Sequence, residues 1–175
     1  QVSQMAAEMG AAIPPSKLSK IAEQVLTLGL DESMLKDVLG RYIGFQDNGS
    51  TLNGAAGQYE HSMRQFAYEM GVKLDKNTLN NQAQLVGRGL ATEQDFRNQV
   101  VNQASSMYPG YKMQLEAGQT MLDIASPYMQ SMASDLEIPY TKITLEDPLI
   151  KQALNGVNSQ GKPVGMDQST FQNMV

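Results

Sequence analysis

Apolar residues in the first quarter of the chain recur with the period of an amphipathic α-helix. A short helix is predicted over Ser3 to Gly10, stopped by glycine and by Pro14-Pro15. Leu18, Ile21, Ala22, Val25 and Leu28 then fall at i, i+3, i+4, i+7 and i+10, which predicts a second helix ending at Gly29. Asp31 offers an N-cap carboxylate to the free amides of a third helix, whose stripe is Met34, Leu35, Val38, Leu39 and Tyr42. Gly44 to Gly57 is rich in Gly and Asn and reads as a linker. Beyond it the rhythm resumes. Tyr59, Met63, Phe66, Ala67 and Met70 share one helical face. Leu79, Ala83 and Val86 form a second helix after Asp75, and Phe96, Val100, Ala104 and Met107 a third after Thr92.

These two stretches read as copies of one pattern. When residue n is paired with n+61 from Gln4 to Ile43 against Gln65 to Ala104, nine of the forty positions are identical, most clearly in Ala6-Ala7-Glu8-Met9-Gly10 against Ala67-Tyr68-Glu69-Met70-Gly71. An internal repeat of this kind is one supersecondary unit copied to extend a surface. The residues expected to pack it are Met9, Leu18, Val25, Leu35, Met70, Leu79, Val86 and Phe96.

After Pro109-Gly110 the pattern changes. Met121, Ile124, Ala125, Tyr128, Met129 and Met132 predict a helix, and Ser126-Pro127 within it predicts a kink or a break. Asp147-Pro148 opens a further helix with Leu149, Ile150, Ala153 and Leu154, and Asp147 is expected to cap it. Val157 to Met166 has hairpin character, with turn residues at Asn158-Ser159-Gln160-Gly161-Lys162. Asp167 or Ser169 would cap a last helix holding Phe171 and Met174. The expected fold is all-α: tandem three-helix units over 1–107 (copies 4–43 and 65–104, linker 44–57), then a kinked helical region over 108–175 with one short β-hairpin at 157–166.

A length of 175 residues suits one domain or two closely packed lobes. The net charge of −5 argues against a grip on nucleic acid through clustered Lys and Arg, so DNA contact is not expected. The chain has no cysteine, which removes disulfides, thiolate metal sites and thiol nucleophiles, and it has 12 Met, 18 Gln and 10 Asn. An amide-rich surface with unbranched, gap-filling Met suits packing against other chains, and equally suits a mildly polar monomer. No apolar run is long enough to span a membrane and no signal peptide opens the chain, so it reads as soluble. It starts without Met and stops partway through an amphipathic pattern, so a segment of a longer polypeptide is expected.

The search for catalytic chemistry yields no catalytic, cofactor-binding or metal-binding residue. His61, the single histidine, lies beside Glu60 and near Ser62 but has no triad spacing around it and reads as a solvated surface residue. The run Asp47 to Asn53 breaks the calcium-loop pattern. Gly87-Arg88-Gly89 lacks the Lys-Ser/Thr of a phosphate loop. Glu137, Glu146 and Asp147 could be pictured as glycosidase carboxylates, but Tyr140 is the one aromatic residue near them. A DNA-reading third helix would have only Lys36 and Arg41, or Arg97, to work with.

The segment Tyr108-Pro109-Gly110, then Gly118 to Ala133 with Ile124-Ala125-Ser126-Pro127-Tyr128, continuing through Leu145-Glu146-Asp147-Pro148 and Gly161-Lys162-Pro163 to Met166, resembles large virion proteins of tailed phages infecting actinobacteria. The helix junctions Leu28-Gly29-Leu30 and Arg88-Gly89-Leu90 are similar to a paired-helix unit preceding that stretch in the same proteins. The resemblance implies a tail tape-measure, minor tail or internal ejected protein without a catalytic role. Its implied place is the virion, in the tail or the particle interior, and its implied partners are other virion proteins, tail or portal components, in multiple copies of a symmetric assembly. Two rival readings are an accessory module of a tail-associated peptidoglycan-degrading enzyme and a DNA-contacting ejection protein.

Overall fold

A computed structural model describes residues 1–44 and 52–175. Most of the linker run Asp47-Asn48-Gly49-Ser50-Thr51-Leu52-Asn53 therefore lies outside the described residues. Within them the fold is all-α. Ten helices follow in order: α1 (Val2–Glu8), α2 (Pro15–Leu28), α3 (Glu32–Gly40), α4 (Gly54–Glu69), α5 (Lys76–Gly87), α6 (Glu93–Met107), α7 (Lys112–Glu116), α8 (Met121–Asp135), α9 (Pro148–Leu154) and α10 (Gln168–Gln172). None of them is long and apolar enough to cross a membrane.

Helix starts follow cap chemistry. Asp31 accepts the Met34 amide at 2.8 Å, Asp75 the Thr78 amide at 3.0 Å, and Asp167 the Thr170 amide at 2.9 Å. Thr92 and Asp95 exchange reciprocal bonds of 3.1 and 2.8 Å, as Thr120 and Asp123 do at 3.1 and 3.3 Å. Asp147 departs from expectation. It stands at the N-cap of α9, but no amide of that helix bonds its side chain; the carboxylate turns back to the Thr144 amide at 2.6 Å instead.

Among the first six helices, one boundary of each corresponding pair recurs at the sequence offset and the other does not. α1 and α4 end at Glu8 and Glu69, α2 and α5 begin at Pro15 and Lys76, and α3 and α6 begin at Glu32 and Glu93, each pair 61 residues apart. The stops match as well. Gly10 and Gly71 both take positive φ, +72° and +67°. The Gly10 and Ala11 amides bond back to Ala7 and Ala6, and the Gly71 and Val72 amides to Tyr68 and Ala67. α4 is much longer than α1 and takes in Gly54 to Gly57, which the sequence reading had left in the linker. Ala56 is fully buried, and that burial holds these residues in the helix.

Two compact units partition the chain, residues 1–66 with 74–97, and residues 67–73 with 98–175. The first copy of the pattern lies wholly in unit 1, while residues of the second are shared between the two units. In unit 1, α1 packs on α2 and α3. Ala6, Met9, Ile21, Leu35 and Leu39 form a buried cluster, with Leu18, Val25, Val38 and Tyr42 packed against it. Gly10 is pinned by a close approach: a Cβ there would lie 2.4 Å from the Asn53 carbonyl carbon, and one on Gly54 would lie 2.3 Å from the Gly10 nitrogen. Leu28 and Met34, expected in apolar stripes, are 69% and 55% exposed, and Met107 at the end of α6 is 44% exposed. Each lies in the first or last turn of its helix, where no neighbouring helix covers it.

In unit 2, α8 packs on α9 and α10. It runs unbroken through Pro127, so the break considered at Ser126-Pro127 is absent. Pro127 is exposed, and the buried residues Met121, Ala125, Met129 and Met132 carry the helix past it. The expected hairpin reduces to one antiparallel bridge between Val157 and Pro163. Backbone bonds run from the Asn158 amide to the Lys162 carbonyl at 3.0 Å and from the Val164 amide to the Gly156 carbonyl at 2.9 Å. Pro163 has no amide to extend them, and the Asn158 side chain closes the turn by accepting the Gln160 and Lys162 amides at 3.0 Å.

Ser105, buried in α6, has a hydroxyl with no hydrogen-bond partner among the described residues. Ser105→Ala removes a desolvated donor and improves helix propensity. It is expected to raise the unfolding free energy by about 1 kcal/mol in a urea melt.

Candidate functional site

Unit 1 is organised around a carboxylate placed where an apolar residue would be expected. On α4 the positions Ala56, Glu60, Met63 and Ala67 form one helical stripe, and Glu60 is completely buried within it. Its Oε2 accepts the Leu52 amide at 3.0 Å and Arg64 Nη2 donates to Oε1. With its amide nitrogen turned toward the carboxylate, Asn80 of α5 donates to both oxygens at 3.2 Å. A buried charge persists only when its lone pairs are satisfied, and here two elements and a loop supply the donors. The carboxylate is thus a clamp rather than an exposed acid. His61 follows it on the outer, exposed side of α4.

A second polar junction ties α3 to the end of α5. Arg88 reaches Asp37 Oδ1 through Nε at 3.0 Å and Nη2 at 2.7 Å, while Arg41 holds Oδ2 at 2.7 Å. These guanidinium bonds, Arg41 first and then Arg88, keep the Asp37 carboxyl below its ordinary value of 3.8. Gly40 makes room for the pair, because a Cβ there would lie 2.1 Å from Arg88 Cγ. Elsewhere in the unit Ser62 donates to Glu93 at 2.7 Å and the Arg97 guanidinium lies 4.4 Å from the Phe66 ring centre.

Between α1, α3, α4 and α5 lies a cleft of about 330 Å³. Met5, Met9 and Val86 give it apolar lining; Glu8, Glu32, Lys36 and Tyr59 give it polar lining. Lys36 is tied to Glu32 at 2.7 Å, which raises the Lys36 pKa and leaves Glu8 as the second carboxylate of the cleft. Methionine beside carboxylates suits an apolar or cationic side chain of another protein better than it suits a phosphate.

The structure gathers some of the predicted packing residues and separates others. Met9, Leu18, Val25 and Leu35 belong to the single cluster of the first copy. Leu79 and Phe96 are buried in unit 1, Val86 is half-buried and lines the cleft, and Met70 is buried in unit 2. Sequence reasoning missed Glu60, Asn80 and the Asp37–Arg88 pair. A carboxylate on the apolar stripe of α4 was the available signal for the first.

Unit 2 shows what the Ile124-Ala125-Ser126-Pro127-Tyr128 stretch does. Ala125 is buried, the Tyr128 hydroxyl donates to the Met166 carbonyl, and its ring meets Phe171 edge-on with centres 5.2 Å apart. The Pro127 carbonyl accepts from Gln168 at 3.1 Å. Burial, with Tyr128 adjacent, pushes the Tyr111 phenol well above its usual range. Glu146 bridges Lys73 at 2.7 Å and Lys151 at 2.9 Å, and both ammonium groups hold its carboxyl below the ordinary 4.5. Comparison of the chain with protein families, with curated proteins and with solved structures finds no match to any of them.

Removing the clamp breaks the bonds that the Asn80 amide and the Leu52 N–H make to the carboxylate. Glu60→Ala is expected to cost about 3–5 kcal/mol of stability in a denaturant melt, and Glu60→Gln less because it keeps one acceptor. The Asp37 contribution is full above the ordinary pKa of 3.8 and is lost as pH falls through the lower folded value. Asp37→Asn should therefore lower the melting temperature at pH 6, and its difference from the parent chain should shrink steadily as the pH is taken below that ordinary value.

Proposed function

We propose that the chain is a non-enzymatic structural module of a bacteriophage virion, associated with the tail as a tape-measure or minor tail protein or carried inside the particle and ejected. It works by contacts with other virion proteins and is present in multiple copies. The observation that carries this reading is the exposure of large apolar side chains at helix ends of unit 1: Leu26 is 87% exposed, Leu28 69%, Met34 55% and Leu90 56%. Single exposed leucines are ordinary on a protein surface. Three of these four, Leu26, Leu28 and Met34, fall between the last turn of α2 and the first turn of α3. Exposed apolar side chains gathered where α2 gives way to α3 support a role in helix-to-helix contact with other chains.

The polar groups of the two units support the same reading. Glu60, Asp37 and Glu146 are each engaged by neighbouring donors, so their chemistry is spent on holding helices. The similarity of the Tyr108 to Met166 segment to virion proteins of tailed phages supplies the biological setting. Purified particles and isolated tails of the encoding phage should contain peptides of this chain by mass spectrometry, in several copies per particle; their absence from both would overturn the proposal.

A further inference from the structure

The packing of α3 on α5 has a counterpart in the repeat that the chain itself leaves open. Asp37 and Gly40 of α3 meet Arg88 at the end of α5. At the offset of 61 residues that aligns the start of α2 with α5 and of α3 with α6, Arg88 corresponds to Thr27 of α2, and Asp37, Gly40 and Arg41 correspond to Asn98, Val101 and Asn102 of α6. The corresponding positions differ in a concerted way. Gly40 faces the long Arg88, whereas Val101 would face Thr27, so one tiny and one large partner become two of medium size. Asp37 and Arg88 are an ion pair, whereas Asn98 and Thr27 are both neutral. Loss of one charge alone would leave the other unpaired at a contact; here both are gone.

The α2 side of this counterpart is a surface groove. Lys20, Glu23, Gln24, Thr27 and Leu28 line about 390 Å³ of open space, and Leu28 is 69% exposed there. One Lys and one Glu leave the groove without net charge. The α6 side is matched to it in polarity, with Val101 partly exposed and Asn102 exposed. We infer that α6 of one copy docks in the α2 groove of a second copy, reproducing between chains the packing that α3 makes on α5 within one. The two surfaces differ, so the contact is heterologous and propagates head to tail instead of closing as a two-fold dimer. The inference rests on the reading that this chain acts through protein contacts, and it names the partner and the surface.

Absence of cysteine makes the test direct. In the α3–α5 contact a Cβ at Gly40 would lie 3.2 Å from Arg88 Cβ. Disulfides need about 3.5–4.5 Å between Cβ atoms, so helices a few tenths of an ångström further apart bring residues 27 and 101 into bridging range. Under mild oxidation the double variant Thr27→Cys, Val101→Cys should give a non-reducing ladder of dimers, trimers and longer multiples. A mixture of the two single variants should give the mixed dimer well in excess of either homodimer. A bridge formed within one chain, or mixed dimers no more abundant than homodimers, overturns the inference. A cysteine-free check is sedimentation velocity. The parent chain should self-associate as concentration rises, and Leu28→Glu should abolish this with an unchanged helical circular dichroism spectrum. A parent chain that stays monomeric up to about 1 mM overturns the inference as well. Absence from virions would remove the proposed biology and leave these results untouched, so the two failures are distinguishable.

Discussion

A carboxylate taken completely out of water must have its oxygens satisfied by donors, and this constraint organises unit 1. Glu60 lies on the inner stripe of α4 between Ala56 and Met63, so the helix cannot bury its apolar face without burying the charge too. The donors then have to be brought to it: Asn80 by α5, Arg64 from one turn along α4, and the backbone of Leu52 from the segment entering that helix. An apolar residue at this position would tolerate small shifts of α5 along α4. A carboxylate satisfied by the Leu52 amide at 3.0 Å and by Asn80 at 3.2 Å tolerates far fewer, because a displaced donor leaves a desolvated partner behind. The energetic return of a buried charge is small, and its geometric specificity is large.

The same division between apolar adhesion and polar registration appears elsewhere. The cluster of Ala6, Met9, Ile21, Leu35 and Leu39 holds α1, α2 and α3 together with side chains that are easily interchanged. The Asp37–Arg88 contact sets where α3 meets the end of α5, and it does so only because Gly40 carries no side chain. In unit 2 the methionines of α8 supply adhesion, while the Tyr128 hydroxyl on the Met166 carbonyl fixes the chain that leads into α10. Adhesion of this kind lets a helix cross an internal proline: the burial of Met121, Ala125, Met129 and Met132 outweighs the hydrogen bond that Pro127 cannot donate.

These two roles differ in how well they can be read from residues alone. Helix starts were legible because a cap is local chemistry: Asp31, Asp75, Thr92 and Asp167 each act within three residues of themselves. The all-α class was legible for the same reason, since periodicity is a property of one segment, and so were the starts of α2 and α3 and of α5 and α6, 61 residues on. Registration was not. Arg88 finds Asp37 across 51 residues and Asn80 finds Glu60 across a whole helix junction, and nothing near either residue announces its partner. Asp147 shows the limit of position as a guide. It occupies a cap site, but Thr144 competes for its carboxylate from the preceding turn. The hairpin expected from the turn residues at 158–162 is present only as a single bridge with flanking backbone bonds, since Pro163 has no amide to extend it.

The Gly10–Gly54 approach has a kinetic meaning. Two backbones that would collide with a single added carbon, one following α1 and the other opening α4, can meet only after the intervening chain has closed into a loop. That closure costs chain entropy, and the cost grows only with the logarithm of the free length. α1, α2 and α3 contact one another locally and can condense first, which shortens the chain still free to fluctuate. The glycine pair then acts as a late latch. Substitution of either residue should leave the early helical cluster able to form while denying it the docking of α4, so the damage would fall on the last stage of assembly and not on the first.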